Sequence, residues 1–151
     1  MRREDVRAVA AIERSAFSTP WTAATFANLL GWGDRCEAIV IEEQGEQGAE
    51  VAGYAVLRFV EGEGELVNVA VAEPFRGRGL GSALLDAVVK AAERRGLRHL
   101  FLEVRRSNLR ALTMYEHRGF QVVGIRRGYY SKPVEDAKIM LLRLSADPAG
   151  A

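Results

Sequence analysis

Val67-Asn68-Val69-Ala70-Val71-Ala72-Glu73-Pro74-Phe75-Arg76-Gly77-Arg78-Gly79-Leu80-Gly81-Ser82 is the stretch that decides how this chain folds. An apolar run ends in a Pro-marked turn. A loop of glycines and arginines follows, and a helical pattern opens after it. Strand, glycine-rich loop and helix N-terminus in that order make an anion site. The first N–H groups of a helix have no partner inside it, and the helix dipole there favours negative charge. Gly77, Gly79 and Gly81 let a phosphate approach the backbone with no Cβ in the way. Arg76 and Arg78 add positive charge. The segment predicts a phosphorylated ligand.

Three phosphate loops compete for this stretch. A P-loop needs Lys and then Ser or Thr after its last glycine. Gly81 is followed by Ser82 and Ala83, so that reading fails. A dinucleotide fingerprint is nearly met by Gly77, Gly79 and Ser82. It also requires repeated strand–helix alternation, whereas the chain before residue 67 reads as antiparallel hairpins. The third pattern, Gln/Arg-x-x-Gly-x-Gly/Ala, is met by Arg76, Gly79 and Gly81. On these residues the chain resembles the GNAT superfamily of acetyl-CoA-dependent N-acetyltransferases. In that superfamily the loop holds the pyrophosphate of coenzyme A through backbone N–H groups. The plain alternative is a glycine-rich turn with two solvated arginines.

Composition bounds the rest. A chain of 151 residues with 48% apolar content fits one domain, expected over 1–144, with 145–151 as a loose tail. No apolar run approaches the roughly 18 residues of a membrane span. No signal peptide is evident. Twenty-one basic residues stand against 20 acidic, which argues against a direct nucleic-acid binder. Cys36 is the single cysteine, so no disulfide forms within the chain. With only two histidines beside it, no metal cluster is expected. A cytoplasmic protein is the simplest fit.

Periodicity predicts a helix from Glu4 to Phe17 and a short second one from Thr22 to Leu30. Strands are expected over Glu37–Glu43, Val51–Glu61 and Glu65–Val71, with turns at Gln44–Glu50 and Gly62–Gly64. A long helix runs from Gly79 to Arg95, its stripe being Leu80, Leu84, Ala87, Val88 and Ala91. A strand over His99–Val104, a helix over Asn108–Arg118 and a hairpin of Phe120–Arg127 with Ala137–Leu144 complete the order. Tyr129, Tyr130 and Pro133 fall in the hairpin loop. The class is α/β, an α+β mixed sheet: an antiparallel N-terminal half, then parallel central strands, with helices on both faces. The resemblance implies that those central strands splay apart. It also leaves the first strand of the family fold missing or very brief here.

A second constellation lies at Leu102-Glu103-Val104-Arg105 and Asn108. Glu103 ends an apolar strand, where open α/β sheets bind ligands. Read alone, it is more readily an edge carboxylate paired with Arg105 or Arg106. Ser107 or Asn108 suits the N-cap of the next helix. Tyr115 reads as a core aromatic with its hydroxyl at the rim. Together with Tyr115-Glu116, Gly119-Phe120, Phe17, Pro20-Trp21 and Arg126-Arg127-Gly128-Tyr129-Tyr130, these residues resemble the RimI-type branch of the superfamily, the ribosomal-protein-alanine N-acetyltransferases.

That resemblance implies the roles. Val69, Ala70 and Val71 line the acetyl and pantetheine arm. Arg76, Gly77, Arg78, Gly79, Leu80, Gly81 and Ser82 hold the pyrophosphate. Asn108 and Tyr115 contact the cofactor. Glu103 is the base and Tyr115 the acid, in direct attack on acetyl-CoA by the α-amine of a protein N-terminus. The implied acceptor begins with alanine and belongs to the small ribosomal subunit. Trp21, Glu103, Tyr129 and Tyr130 face the substrate. Phe26 joins that aromatic groove, or with Trp21 it anchors a short helix to the core. Glu37 and Glu135 are further acidic candidates for drawing in basic residues. Two readings from outside this branch are a GNAT enzyme acting on lysine or a small amine, and a non-catalytic acetyl-CoA-binding module.

Overall fold

The computed structural model describes residues 1–144. The expected tail lies outside them. A six-stranded mixed sheet in the order β1-β2-β3-β4-β6-β5 forms the middle layer. The strands are β1 (Cys36–Gly45), β2 (Gly48–Val60), β3 (Glu63–Val71), β4 (His99–Arg105), β5 (Gln121–Tyr130) and β6 (Glu135–Arg143). Four helices cover it: α1 (Val6–Ala16), α2 (Ala23–Leu29), α3 (Leu80–Arg94) and α4 (Leu109–His117). Among the described residues β1 is the first strand, and no strand precedes α1.

Alternation along β2 divides the core between the two faces. Tyr54 and Val56 point to one side, where Val9, Ile12, Phe26 and Leu29 of α1 and α2 close over them. Ala55 and Leu57 point to the other, against Leu84, Leu85, Val88 and Ala92 of α3. The buried stripe of α3 is wider than a single row, because Leu85, Val89 and Ala92 also face the sheet. Helix α3 is the crossover that makes β3 and β4 parallel.

Local chemistry moves several boundaries. The first hairpin is tighter than its polar composition suggests: β1 and β2 pair through Gly45 and Gly48, so the strands consume most of Gln44–Glu50. The next turn is Glu61-Gly62, both at positive φ, which is the two-residue geometry that matches strand twist. Glu63 and Gly64 therefore already belong to β3. Asn108, and not Ser107, caps α4, its side chain accepting from the Ala111 N–H at 3.2 Å. Tyr129 and Tyr130 end β5 and are not in the loop. The β5–β6 ladder is irregular there, with Arg126 opposite Ala137 and Tyr130 opposite Glu135.

The parallel ladder is short. It pairs Glu63–Leu66 with His99–Leu102 and stops. Both strands continue beyond it, β3 to Val71 and β4 to Arg105. Val67 sits at a bulge, since Val56 faces Asn68 while Leu57 faces Leu66. The expected splay is therefore present, and it opens at that bulge.

Gly53 stands behind the open segment. A Cβ there would lie 2.9 Å from the Ala70 carbonyl oxygen and 3.0 Å from Leu84. Gly53→Ala is expected to cost about 1–3 kcal/mol, because backbone on one side and packed core on the other leave no room. Urea unfolding with an unchanged m-value checks this. A loss below about 0.5 kcal/mol would mean that β3 shifts freely.

Candidate active site

Val69 and Val71 owe their availability to the splay. Successive residues of a strand direct their backbone groups to alternate sides. The Ala72 N–H donates to Ala52 O, toward β2. Ala70 likewise faces β2, beside Gly53. Val69 and Val71 therefore turn their N–H groups toward β4, which has moved away. The Val71 carbonyl is taken by Arg76 Nε at 3.0 Å.

Two clefts meet in this gap. One, of about 390 Å³, is lined by Val69–Val71, Arg76, Gly77, Gly79–Ser82, Asn108, Arg110, Met114 and Tyr115. Gly77 and Gly79 both hold φ +78, which L side chains rarely adopt, and nothing lies within 4 Å of where their Cβ atoms would be. Gly79 is the N-cap of α3, and its carbonyl accepts from Ala83. The open N–H groups of the first turn therefore face a cleft with a backbone bare of side chains. These features fit the pyrophosphate of coenzyme A. Arg78 is placed differently from Arg76: its guanidinium lies over the Phe75 ring at 5.5 Å, and it is not part of the cleft wall.

The other cleft, of about 730 Å³, is bounded by Glu13, Phe17, Trp21, Asn68, Glu103, Tyr129, Tyr130 and Glu135. Val69, Asn108, Ala111 and Tyr115 line both. Tyr115 is buried and packs on Phe120 with ring centroids 5.7 Å apart. Its hydroxyl has no hydrogen-bond partner among the described residues. Burial, with Tyr130 nearby, holds that phenol well above its usual range.

Glu103 is half-buried on β4 and pairs with Arg126 Nε at 2.8 Å, not with Arg105 or Arg106. The Tyr129 hydroxyl bonds the same carboxylate, which raises the Tyr129 pKa, with burial adding to it. Burial and the Glu103 charge push Tyr130 up to about 12. Arg105 instead ties down the hairpin loop: it reaches Glu135, Pro133 O and Ser131 O, each at 3.2 Å. Glu135 also accepts from the Ser107 hydroxyl and N–H, which hold its carboxyl below the usual range.

The expected site residues thus gather around one gap, with exceptions. Phe26 is fully buried, edge-on to Tyr54, and belongs to the core. Trp21 packs against Phe26 at 5.5 Å and also lines the cleft, so it serves both as anchor and as wall. Glu37 lies on β1 near Arg95, at 3.9 Å, away from the cleft. Sequence reading overlooked Glu13 and Asn68. Glu13 is 1% exposed. It accepts from the Tyr54 hydroxyl, from Asn68 Nδ2 at 2.7 and 3.0 Å, and from the Trp21 N–H at 2.9 Å. A signal existed: Val6, Val9, Ala10 and Glu13 share one helix face, so a carboxylate occupies a core position.

Comparison with known proteins agrees with this geometry. Residues 6–120 match the model of the acetyltransferase (GNAT) family. The chain is 38% identical over 143 residues to the ribosomal protein bS18-alanine N-acetyltransferase of Escherichia coli K12, covering 93% of each. The Salmonella typhimurium protein of the same name is 37% identical with the same coverage. The crystal structure of the Escherichia coli enzyme superposes with a TM-score of 0.86 at 35% identity, over 100% of this chain and 95% of that one. The chain belongs to the GNAT acetyltransferase family. It is an acetyltransferase, and acetyl-CoA is its cosubstrate. No described helix is long and apolar enough to cross a membrane.

Proposed function

We propose that this enzyme acetylates the N-terminal α-amine of a protein, its acceptor being an alanine N-terminus of ribosomal protein bS18, and that it works in the cytoplasm as one acetyltransferase domain over 1–144. The relatives that match almost end to end carry that activity in their names. The observation that carries the reading is the junction of the two clefts at Val69, Asn108 and Tyr115. A long acyl donor entering from one side and an extended chain entering from the other meet there.

Bound acetyl-CoA supplies an acetyl group already activated as a thioester. The chain's own residues orient the reaction and move protons. The N–H groups at the start of α3, with Arg76, hold the pyrophosphate. Unpaired N–H groups of Val69 and Val71 polarise the acyl carbonyl. Glu103 takes a proton from the incoming ammonium, whose pKa near ~8 needs no extreme base. Its partner Arg126 is 56% exposed, so the pair opens on the solvent side. Tyr115 returns a proton to the departing sulfur. Its raised pKa keeps that proton in place at neutral pH. Asn108 caps α4 with its oxygen and keeps its amide N–H groups for the cleft.

The deciding experiment measures thiol release from acetyl-CoA with a basic peptide that begins with alanine. Its N-terminally blocked twin retains its lysines. Release with the free N-terminus alone is expected. Equal release with both assigns the enzyme to lysine. Release with neither, despite tight acetyl-CoA binding, points to a small amine or a binding module.

Tyr115→Phe should lower turnover by at least ~10²-fold while acetyl-CoA affinity holds, because only the leaving group loses its donor. The pH profile carries a sign. A raised phenol pKa means the acid form persists where a free phenol, near ~10, has begun to ionise. Wild-type turnover should therefore not fall through pH 10 from loss of this proton. Unchanged turnover in Tyr115→Phe would remove Tyr115 from the mechanism, and a descending limb at or below that pH that the variant lacks would overturn the raised pKa.

Glu103→Gln should cost about 10²–10⁴-fold in kcat/KM for the peptide. The glutamine still accepts from Arg126, so folding is expected to be unaffected. Wild-type rates in this variant would assign deprotonation of the amine to solvent.

A further inference from the structure

Glu13 is a buried carboxylate with no ion-pair partner among the described residues, and it lies in the wall of the acceptor cleft. All its partners are neutral, and they come from separate parts of the fold. Tyr54 is on β2, Asn68 on β3 at the bulge, and Trp21 in the segment between α1 and α2. A carboxylate can only accept, so Asn68 must direct its amide N–H groups toward it. That fixes the orientation of the Asn68 amide without ambiguity. Its Oδ1 then faces the other way. No donor among the described residues bonds Oδ1, and it is not a buried, unpartnered atom. Asn68 adjoins Val69, whose N–H faces the gap, and it lines the acceptor cleft.

We propose that Glu13 is a positioning residue for the acceptor amine. By taking the amide protons of Asn68 and the N–H of Trp21, it presents Asn68 Oδ1 to the ammonium and holds the Trp21 wall of the cleft. This rests on the acetyl-transfer function proposed above and adds a specificity element to the same cleft. A group that must bond an N–H and finds a fixed acceptor discriminates against acceptors that lack it. The Glu13 carboxylate, with no cation paired to it among the described residues, adds attraction for an amine arriving in its protonated form.

Glu13→Gln tests this with almost no change of volume. Glutamine offers one acceptor and one donor, so the Asn68 amide turns over to accept from it. An N–H group then faces the cleft where a carbonyl oxygen stood. The peptide KM should rise about 10–100-fold, the range for loss of a hydrogen bond to a charged group. The KM for acetyl-CoA should stay within about twofold. Asn68→Ala should raise the peptide KM similarly. The double variant should lose less than the product of the two single effects, since both act through one oxygen. A merely structural role would raise both KM values together and lower the melting temperature, which overturns the proposal. Multiplicative losses in the double variant also overturn it. The kinetics use whichever amine the wild type accepts. Failure of the α-amine reading therefore shows in the wild type, and failure of this inference shows in the variants.

Discussion

The ladder between β3 and β4 stops at Leu66 and Leu102, and the site depends on that interruption. Buried backbone groups are almost always paired. Two parallel central strands that separate leave N–H and C=O groups open over the rest of their length. Here that open edge is Val69–Val71, with β2 still bonded along its other side. The extra residue at Val67 turns β3 away, and the regular pairing with β2 keeps the turned segment rigid. A flexible loop at the same place would have to order itself around each ligand. A strand that is fixed on one side and open on the other is preorganised.

What flanks the opening keeps it from closing. Tyr115 and Asn108 bring α4 across one end, and Glu13 brings α1 across the other. Gly53 lets Leu84 of α3 come against the back of the open segment. The proposed phosphate end follows from the same arrangement, because the crossover helix that makes β3 and β4 parallel must begin where β3 ends. Its N-terminus therefore faces the gap, and Gly77 and Gly79 keep that face free of side chains. The sheet order and the anion site share one topological cause.

Residues whose meaning is local were legible in the sequence. The alternation of β2, the stripe of α3 and the Gly77–Ser82 loop each carry their signal within a few positions. The boundaries that moved, at Gly45–Gly48 and Glu61-Gly62, depend on tight-turn geometry that polar composition only suggests. The partner of Glu103 was not legible. Arg105 and Arg106 are nearest in sequence, but Arg105 points into the β5–β6 loop, and Arg126 reaches Glu103 from β5, across the intervening β6. Glu13 went unnoticed because a single acid on an apolar face reads as a boundary of the stripe. Two of its three partners lie 41 and 55 positions away, beyond any local pattern.

The acceptor cleft is lined by three carboxylates, and their different surroundings separate their work. Glu135 is bound to Arg105 and Ser107 and serves the loop. Glu103 meets Arg126 and the Tyr129 hydroxyl at a partly open edge, where a proton can arrive and leave. Among the described residues Glu13 has neutral donors only, and it is far less exposed than Glu103. Three bare carboxylates facing one small volume would repel one another. Guanidinium groups offset the two near the hairpin and leave the third uncompensated. An arriving ammonium therefore enters a cleft whose unbalanced charge lies at the Glu13 end, beside the open N–H of Val69. In the proposed mechanism this attraction draws the amine toward the strand that would face the acyl carbonyl. With Glu103 as the proposed base across the gap on β4, the amine is held between the group proposed to orient it and the group proposed to deprotonate it.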